Sequence, residues 1–361
     1  MGLIARLRTW ALSRPAVLLV DVPGETTLRW AAEAELERRG WRRAATPADT
    51  DLVVVLGEPG PELAAAVDLL WSQVPEPRHR IVVRGQGDVS AELDAGLGEL
   101  VRRAAGGPRG DRRPSPTSFL DEDGGMDHGG MDHGGMDHGG MDHEGMDHMH
   151  HGGEVAGLPM ASTGPDRDGL ELDVLEVALG PVLPGWPTGL VLRADLQGDV
   201  LVSAELAWLD ADALPTGNPP EDSQCAALDR LARFLDVAGW PTAARQARRA
   251  RDGLLAGTDP ARAQRLARAV ARRIRRSRAL AWTAGGIGQV PSQDGAGEGV
   301  VDRVRRWCDS AAGQPVDERP APSLDEAAGL LRGTEVGGAR LIVASLDLPM
   351  PAPTAPERAH A

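Results

Sequence analysis

Residues 124–151 read GGMDHGGMDHGGMDHGGMDHEGMDHMHH, five Met-Asp-His units at a spacing of five closed by Met-His-His. A five-residue period matches neither the 3.6-residue helical turn nor the two-residue strand repeat. No register therefore gives this segment an apolar face to bury, and any packed core must come from the chain on either side. The glycine pairs between units predict a disordered, solvated tether. That tether concentrates His128, His133, His138, His143, His148, His150 and His151 with Met126, Met131, Met136, Met141, Met146 and Met149. The acids Asp127, Asp132, Asp137, Asp142 and Asp147 lie among them. Imidazole suits copper, nickel and zinc, and thioether suits Cu(I), so the expected ligands are Ni(II), Cu(I), Cu(II) or Zn(II). The bland alternative is a linker lengthened by repeat slippage.

A length of 361 residues predicts two domains plus linkers. Hydrophobic residues make up 42% of the chain, enough for real cores, but aromatics are only 3%, so Leu, Val, Ala and Trp must do the packing. There is no lysine: all 39 basic residues are arginine. A net charge of −14 argues against general nucleic-acid binding. Cys225 and Cys308 form no close pair, which supports neither a disulfide framework nor a cysteine-ligated cluster. The apolar N-terminal runs are broken by Arg6, Arg8, Arg14 and Pro15, and none approaches the ~18 residues of a spanning helix. These features predict a soluble, cytoplasmic protein with no transmembrane segment.

Residues 1–103 alternate strand and helix signals. AVLLV at 16–20 and LVVVL at 52–56 read as buried strands, and RIVVR at 80–84 reads as a third strand. Helices are predicted over 28–39, stopped by Gly40, over 61–74, opened by Pro61, and over 91–104. A short strand is predicted at 41–45. The alternation implies a doubly wound α/β sheet, with ligands beyond the strand carboxyl ends at 21–27, 57–60 and 85–88. Asp21 and Glu25 lie at the first of these ends. Residues 104–169 read as linker. Residues 170–348 read as α+β: an alternating, half-buried strand over 170–179, a loop, a hairpin over 190–206, then helices. The helices are predicted over 223–237, 241–256, 260–283, 299–312 and, after a Ser323/Glu326 capping box, up to Gly333. The 260–283 helix carries eight arginines outside a Leu266, Val270 and Ile274 face, which suggests a solvated or intersubunit surface. An apolar strand or buried segment is predicted over 340–345, then a Pro-rich tail over 349–361.

Both halves resemble one family. The run RPAVLLVDVPG at 14–24, the stretch RGWRRAATPADTDLVVVLG at 39–57 and RIVVRG at 80–85 look like the small, cluster-bearing subunit of the nickel–iron hydrogenase and respiratory complex I (NADH-quinone oxidoreductase) family. The family's cysteine ligands fall on Glu25, Leu28 and about Gly87, so the resemblance implies an inherited fold without the iron–sulfur cluster. The second half resembles an abbreviated large subunit, through GLVLRADLQGD at 189–199 and LLRG at 330–333 followed by LIVASLD at 341–347. The second nickel-ligand pair of that subunit falls on Pro349 and Ala352, and the first pair is missing.

A nickel–iron centre needs four thiolates, and an iron–sulfur cluster normally needs four cysteines. No iron–sulfur or nickel–iron cofactor, and no catalysis by the chain alone, is expected. Phosphate-binding, serine-hydrolase and dinucleotide motifs are missing from the sequence. The resemblance implies a non-catalytic pseudo-subunit, an accessory or assembly partner of a hydrogenase-like or complex I-like oxidoreductase, peripheral to any membrane complex. The other reading is a cytoplasmic nickel or copper delivery protein whose folded halves dock the tether.

Overall fold

A computed structural model describes residues 12–105, 154–155, 158–159, 162–165, 171–212, 223–291, 297–317 and 319–348. The N-terminal part is built on a parallel sheet. Strand β1 (Ala16–Asp21) leads into helix α1 (Thr26–Arg39), which ends at Gly40 in the left-handed conformation. Strand β2 (Arg42–Arg43), strand β3 (Leu52–Leu56), helix α2 (Pro61–Gln73), strand β4 (His79–Val83) and helix α3 (Val89–Ala105) follow. The sheet order is β2-β1-β3-β4, all parallel. The two central strands, β1 and β3, are buried on both faces, which is why they read as unbroken apolar runs; the edge strands β2 and β4 carry exposed Arg42 and Arg80. Leu52, Val54 and Leu56 point with Ile81 and Val83 at Leu28 and Leu36 of α1 and Leu93 of α3. Val53 and Val55 point the other way, at Val67 of α2. Helices cover both faces, as doubly wound topology requires.

The C-terminal part is antiparallel sheet, then helices. A two-stranded ladder, β5 (Glu154–Val155) with β6 (Leu158–Pro159), precedes β7 (Ser162–Pro165), β8 (Glu171–Leu179) and β9 (Leu190–Gln197). Short strands β10 (Val200–Leu201) and β11 (Glu205–Trp208) both pair with β9. Helices α4 (Ser223–Val237), α5 (Pro241–Ala256), α6 (Pro260–Arg275), α7 (Arg278–Thr283), α8 (Val300–Ala311), α9 (Leu324–Leu331) and α10 (Val336–Ser345) complete it. Helix α4 is central: Cys225, Leu228, Leu231, Phe234 and Leu235 are all fully buried. Ala243, Ala244, Ala247 and Ala250 let α5 lie close against it, since methyl side chains keep the helix axes near one another.

Two expectations change and one open choice is settled. Strand β8 is not half-buried: Leu172 is 40% and Leu175 56% exposed, and only Val177 and Leu179 at its end reach the core. The alternation was real, but the helices cover β9 and β11 and leave most of β8 beyond them. The helix predicted over 260–283 breaks at Arg276, and the Ser277 hydroxyl accepts from the Leu280 amide to start α7 as a separate helix. The 340–345 segment, expected as a strand or a buried segment, is the latter: a helix with Ala339, Ile342 and Val343 buried at helical spacing. A run that short is the same in a strand and a buried helix, so periodicity could not choose.

Candidate functional site

The carboxyl ends of β1 and β3 face the C-terminal part, and side chains of that part bond to both ends. At the end of β1, Asp21 accepts from Arg29 Nε at 3.1 Å and from Thr188 Oγ1 at 3.0 Å. Arg29, one turn into α1, makes a two-pronged bond to Asp229 on α4, Nη1 to Oδ1 at 3.0 Å and Nη2 to Oδ2 at 2.7 Å. Asp229 Oδ1 also accepts from Arg251 Nη1 on α5 at 2.7 Å. The same nitrogen donates to Glu33 Oε2 of α1 at 2.8 Å. Arg251 is fully buried and its guanidinium lies 5.2 Å from the centre of the Trp30 ring. Arg43 and Arg248 extend the cluster, meeting Glu33 at 3.5 and 3.4 Å and both pairing with Asp236.

Burial alone would raise the Glu33 carboxyl pKa. The surrounding Arg248, Arg43, Arg251 and Arg29 outweigh it and hold the group well below the usual carboxylate range. Asp229 is likewise depressed, with burial opposed and exceeded by Arg29 and Arg251. Burial disfavours charge on Arg29, but Asp229, Glu33 and Asp21 more than restore it, so its pKa is raised. Asp252, which accepts from Arg251 Nε at 2.9 Å, is the exception: burial wins and raises its pKa. Arg233 lies beside Arg29, and burial followed by that like charge lowers its pKa. Asp21, Glu33, Asp229, Asp236 and Asp252 equal Arg29, Arg43, Arg233, Arg248 and Arg251 in number. The cluster joins the two parts by balanced charge.

The end of β3 is closed differently. Helix α2 begins after Gly60, which has no side chain to cap it. Asp210, from the C-terminal part, supplies the cap: Oδ1 accepts from the Glu62 amide and Oδ2 from the Leu63 amide, each at 2.9 Å. The Glu62 carboxylate in turn accepts from the Asp210 amide. A helix N-terminus attracts anions, and here the anion is a residue of the same chain. Nearby, Gly189 sits at φ +86° where a Cβ would come within 2.9 Å of the Pro23 ring. The third end is different again: Arg84, Gln86, Gly87 and Asp88 are exposed at the surface.

Between these contacts lies a cavity of about 330 Å³ lined by Arg29, Trp30, Thr188, Trp208, Arg233 and Trp307, among others. The indole N–H groups of Trp30 and Trp307 are buried without a hydrogen-bond acceptor among the described residues. Both cysteines are remote from iron–sulfur chemistry. Each is a buried thiol in the helical core that forms no disulfide, and burial pushes Cys308 up to about 12, far from thiolate formation at neutral pH.

The residues expected to bind metal on the tether lie outside the described residues, as do Pro349 and Ala352. Glu25 caps α1 without a side-chain bond, Leu28 is buried in the core, and Gly87 is in a short turn, so none of the three family ligand positions offers a metal ligand side chain except the Glu25 carboxylate. Among the described residues no His, Cys, Asp and Glu side chains group as a metal site. Sequence reasoning placed Asp21 at a strand end but missed Arg29, Glu33, Asp229 and Arg251. A signal existed. Asp229 stands between Leu228 and Leu231 on the apolar face of an amphipathic helix, where an acid needs a buried cation.

No protein-family model matches the chain, and no curated protein matches it. Among solved structures, a chain of the membrane-bound sulfane sulfur reductase, an archaeal respiratory membrane complex, is similar with a TM-score of 0.32 and 11% identity. The match covers 50% of this chain and 98% of that one, a likeness too slight to carry function. Among the described residues no helix is long and apolar enough to cross a membrane.

Proposed function

We propose that the protein is a non-catalytic pseudo-subunit: a small-subunit-like part (1–103) and an abbreviated large-subunit-like part (170–348), fused and acting as an accessory or assembly partner of a hydrogenase-like or complex I-like oxidoreductase. The observation that carries this reading is the closure of two of the three strand ends. Thr188, Asp229 and Asp210 of the C-terminal part occupy positions where a doubly wound sheet otherwise receives its ligand. A crevice used as an internal joint suits a scaffold better than a redox centre. The test is affinity capture of the full chain, carrying a non-histidine tag, from its native cell, followed by mass spectrometry. Reproducible recovery of oxidoreductase subunits is expected; recovery of none would remove the proposal.

A second reading rests on the tether. Seven of the nine histidines fall within residues 124–151, a ligand density that favours nickel, copper or zinc. Under this reading the folded parts dock the tether to a client enzyme. Metal analysis of the purified chain beside a variant lacking 124–151 tests it. Several equivalents of one metal in the first and none in the second are expected; equal metal content in both would sink it.

A further inference from the structure

Helix α6 carries its charge in a single row. It buries Ala263, Ala267, Val270, Ala271 and Ile274 on one side. Arg262, Arg265, Arg268, Arg272 and Arg276 recur at three- and four-residue intervals on the other, all exposed. At 1.5 Å per residue the row runs about 20 Å. The flanking arginines turn aside, Arg275 to Asp309 and Arg273 to Gln246 and the Trp240 ring. None of the five in the row has a carboxylate partner among the described residues. The chain has no acid between Asp259 and Asp294, and Asp259 itself faces the Arg262 amide as the helix cap. Beyond the break, α7 opens with Arg278, which is also exposed. Trp282 follows four residues later on the same face, and it is 86% exposed, more than any other large apolar side chain described.

We propose that this face binds the anionic surface of a lipid bilayer, with the arginines on headgroup phosphates and Trp282 seated at headgroup level. Guanidinium forks match phosphate oxygens two at a time. Tryptophan partitions to the membrane–water boundary, where its ring meets the acyl region and its N–H stays wet. The only apolar side chains on this face of α6 among the described residues are the methyl groups of Ala261 and Ala269, so it lacks the large apolar, charge-poor centre that a stable protein interface is built around. A nucleic acid would offer phosphates too, but no apolar phase for Trp282. The net charge of −14 opposes approach to any polyanion at long range. Within a Debye length of ~8 Å, however, the local row dominates. This inference is independent of the oxidoreductase partner.

The experiment is co-sedimentation of the full chain with vesicles of phosphatidylcholine alone and of phosphatidylcholine mixed with phosphatidylglycerol. The chain binds the mixed vesicles and not the neutral ones, and binding weakens as salt rises. Replacing Arg265, Arg268, Arg272 and Arg276 together by glutamine lowers the affinity at least about tenfold, since each basic residue adds to surface attraction. Lysine at the same four positions keeps most of the binding, which separates lost charge from a misfolded variant. Trp282→Ala weakens binding several-fold and leaves its salt dependence. No binding to mixed vesicles, equal binding to neutral ones, or unchanged binding by the glutamine variant overturns the proposal. So does duplex DNA binding that depends on the same arginines in the absence of vesicle binding.

Discussion

Arg251 and Arg272 are the same residue type on consecutive helices, and they live in opposite worlds. Arg251 is fully buried and bonded to Glu33, Asp229 and Asp252; Arg272 is exposed on the outer row of α6. In a chain whose every basic residue is arginine, identity says nothing about role. Surroundings decide it: in the interior a guanidinium must have acceptors, carboxylates for Arg251 and a hydroxyl with backbone carbonyls for Arg303, and in water it needs none from the protein. Removing one partner from the interior set should therefore cost far more than removing an outer arginine.

The largest effect is expected at the joint. Asp229→Ala leaves Arg29 and Arg251 buried without their shared acceptor, and should destabilise the protein by about 3–5 kcal/mol, read as a lower denaturant midpoint. Replacing a full buried set by apolar residues would be a different experiment, since such swaps are often neutral. A loss below about 1 kcal/mol for Asp229→Ala would mean that water reaches the cluster and that the contrast with α6 is false.

Acid should act at the same place. Glu33 and Asp229 sit below their ordinary values of 4.5 and 3.8 in the folded state. Groups depressed on folding stabilise fully above the unfolded pKa, and the contribution is lost as pH falls towards the folded pKa. Asp252 is shifted upward, has the opposite sign and offsets part of this. Stability should thus fall steeply below about pH 4, and the slope should flatten in Asp229→Asn. An acid profile unchanged by that substitution would place the titrating groups elsewhere.

Smaller effects sharpen the contrast. Ser323 accepts from the Glu326 amide while the Glu326 carboxylate bonds the Ser323 amide, a reciprocal cap on α9. Ser323→Ala should cost about 1 kcal/mol in thermal unfolding. Arg272→Gln should change stability by less than about 0.5 kcal/mol, as expected for an exposed side chain with no side-chain partner among the described residues. If it cost as much as Asp229→Ala, the outer row would have a hidden structural role.

Much of the fold could be read from the sequence because its signals are local. The buried strands are unbroken apolar runs, Gly40 ends α1, Pro61 and Pro241 open helices, and Ser323 with Glu326 announces α9. The joint could not be read that way. Arg29 and Asp229 are 200 positions apart, and no spacing rule connects them. The break before α7 was hidden for a subtler reason: Ser277 is a modest helix former as well as a good cap, and an arginine-rich stretch on both sides masks the change. Asp210 was invisible because its partner is a backbone end rather than a side chain.

That last contact reaches beyond stability. A Cβ placed on Gly60 would collide with the Asp210 carboxylate, so the residue tolerated at 60 is set by the one at 210. The two positions belong to different parts of the molecule and share no local pattern, yet each restricts the other's history. Substitutions at 60 should arise only in lineages where the acid at 210 has already been lost or shortened. In a set of related sequences this pair should stand out as a correlated couple, and its integrity would mark those chains whose two parts still sit together as they do here.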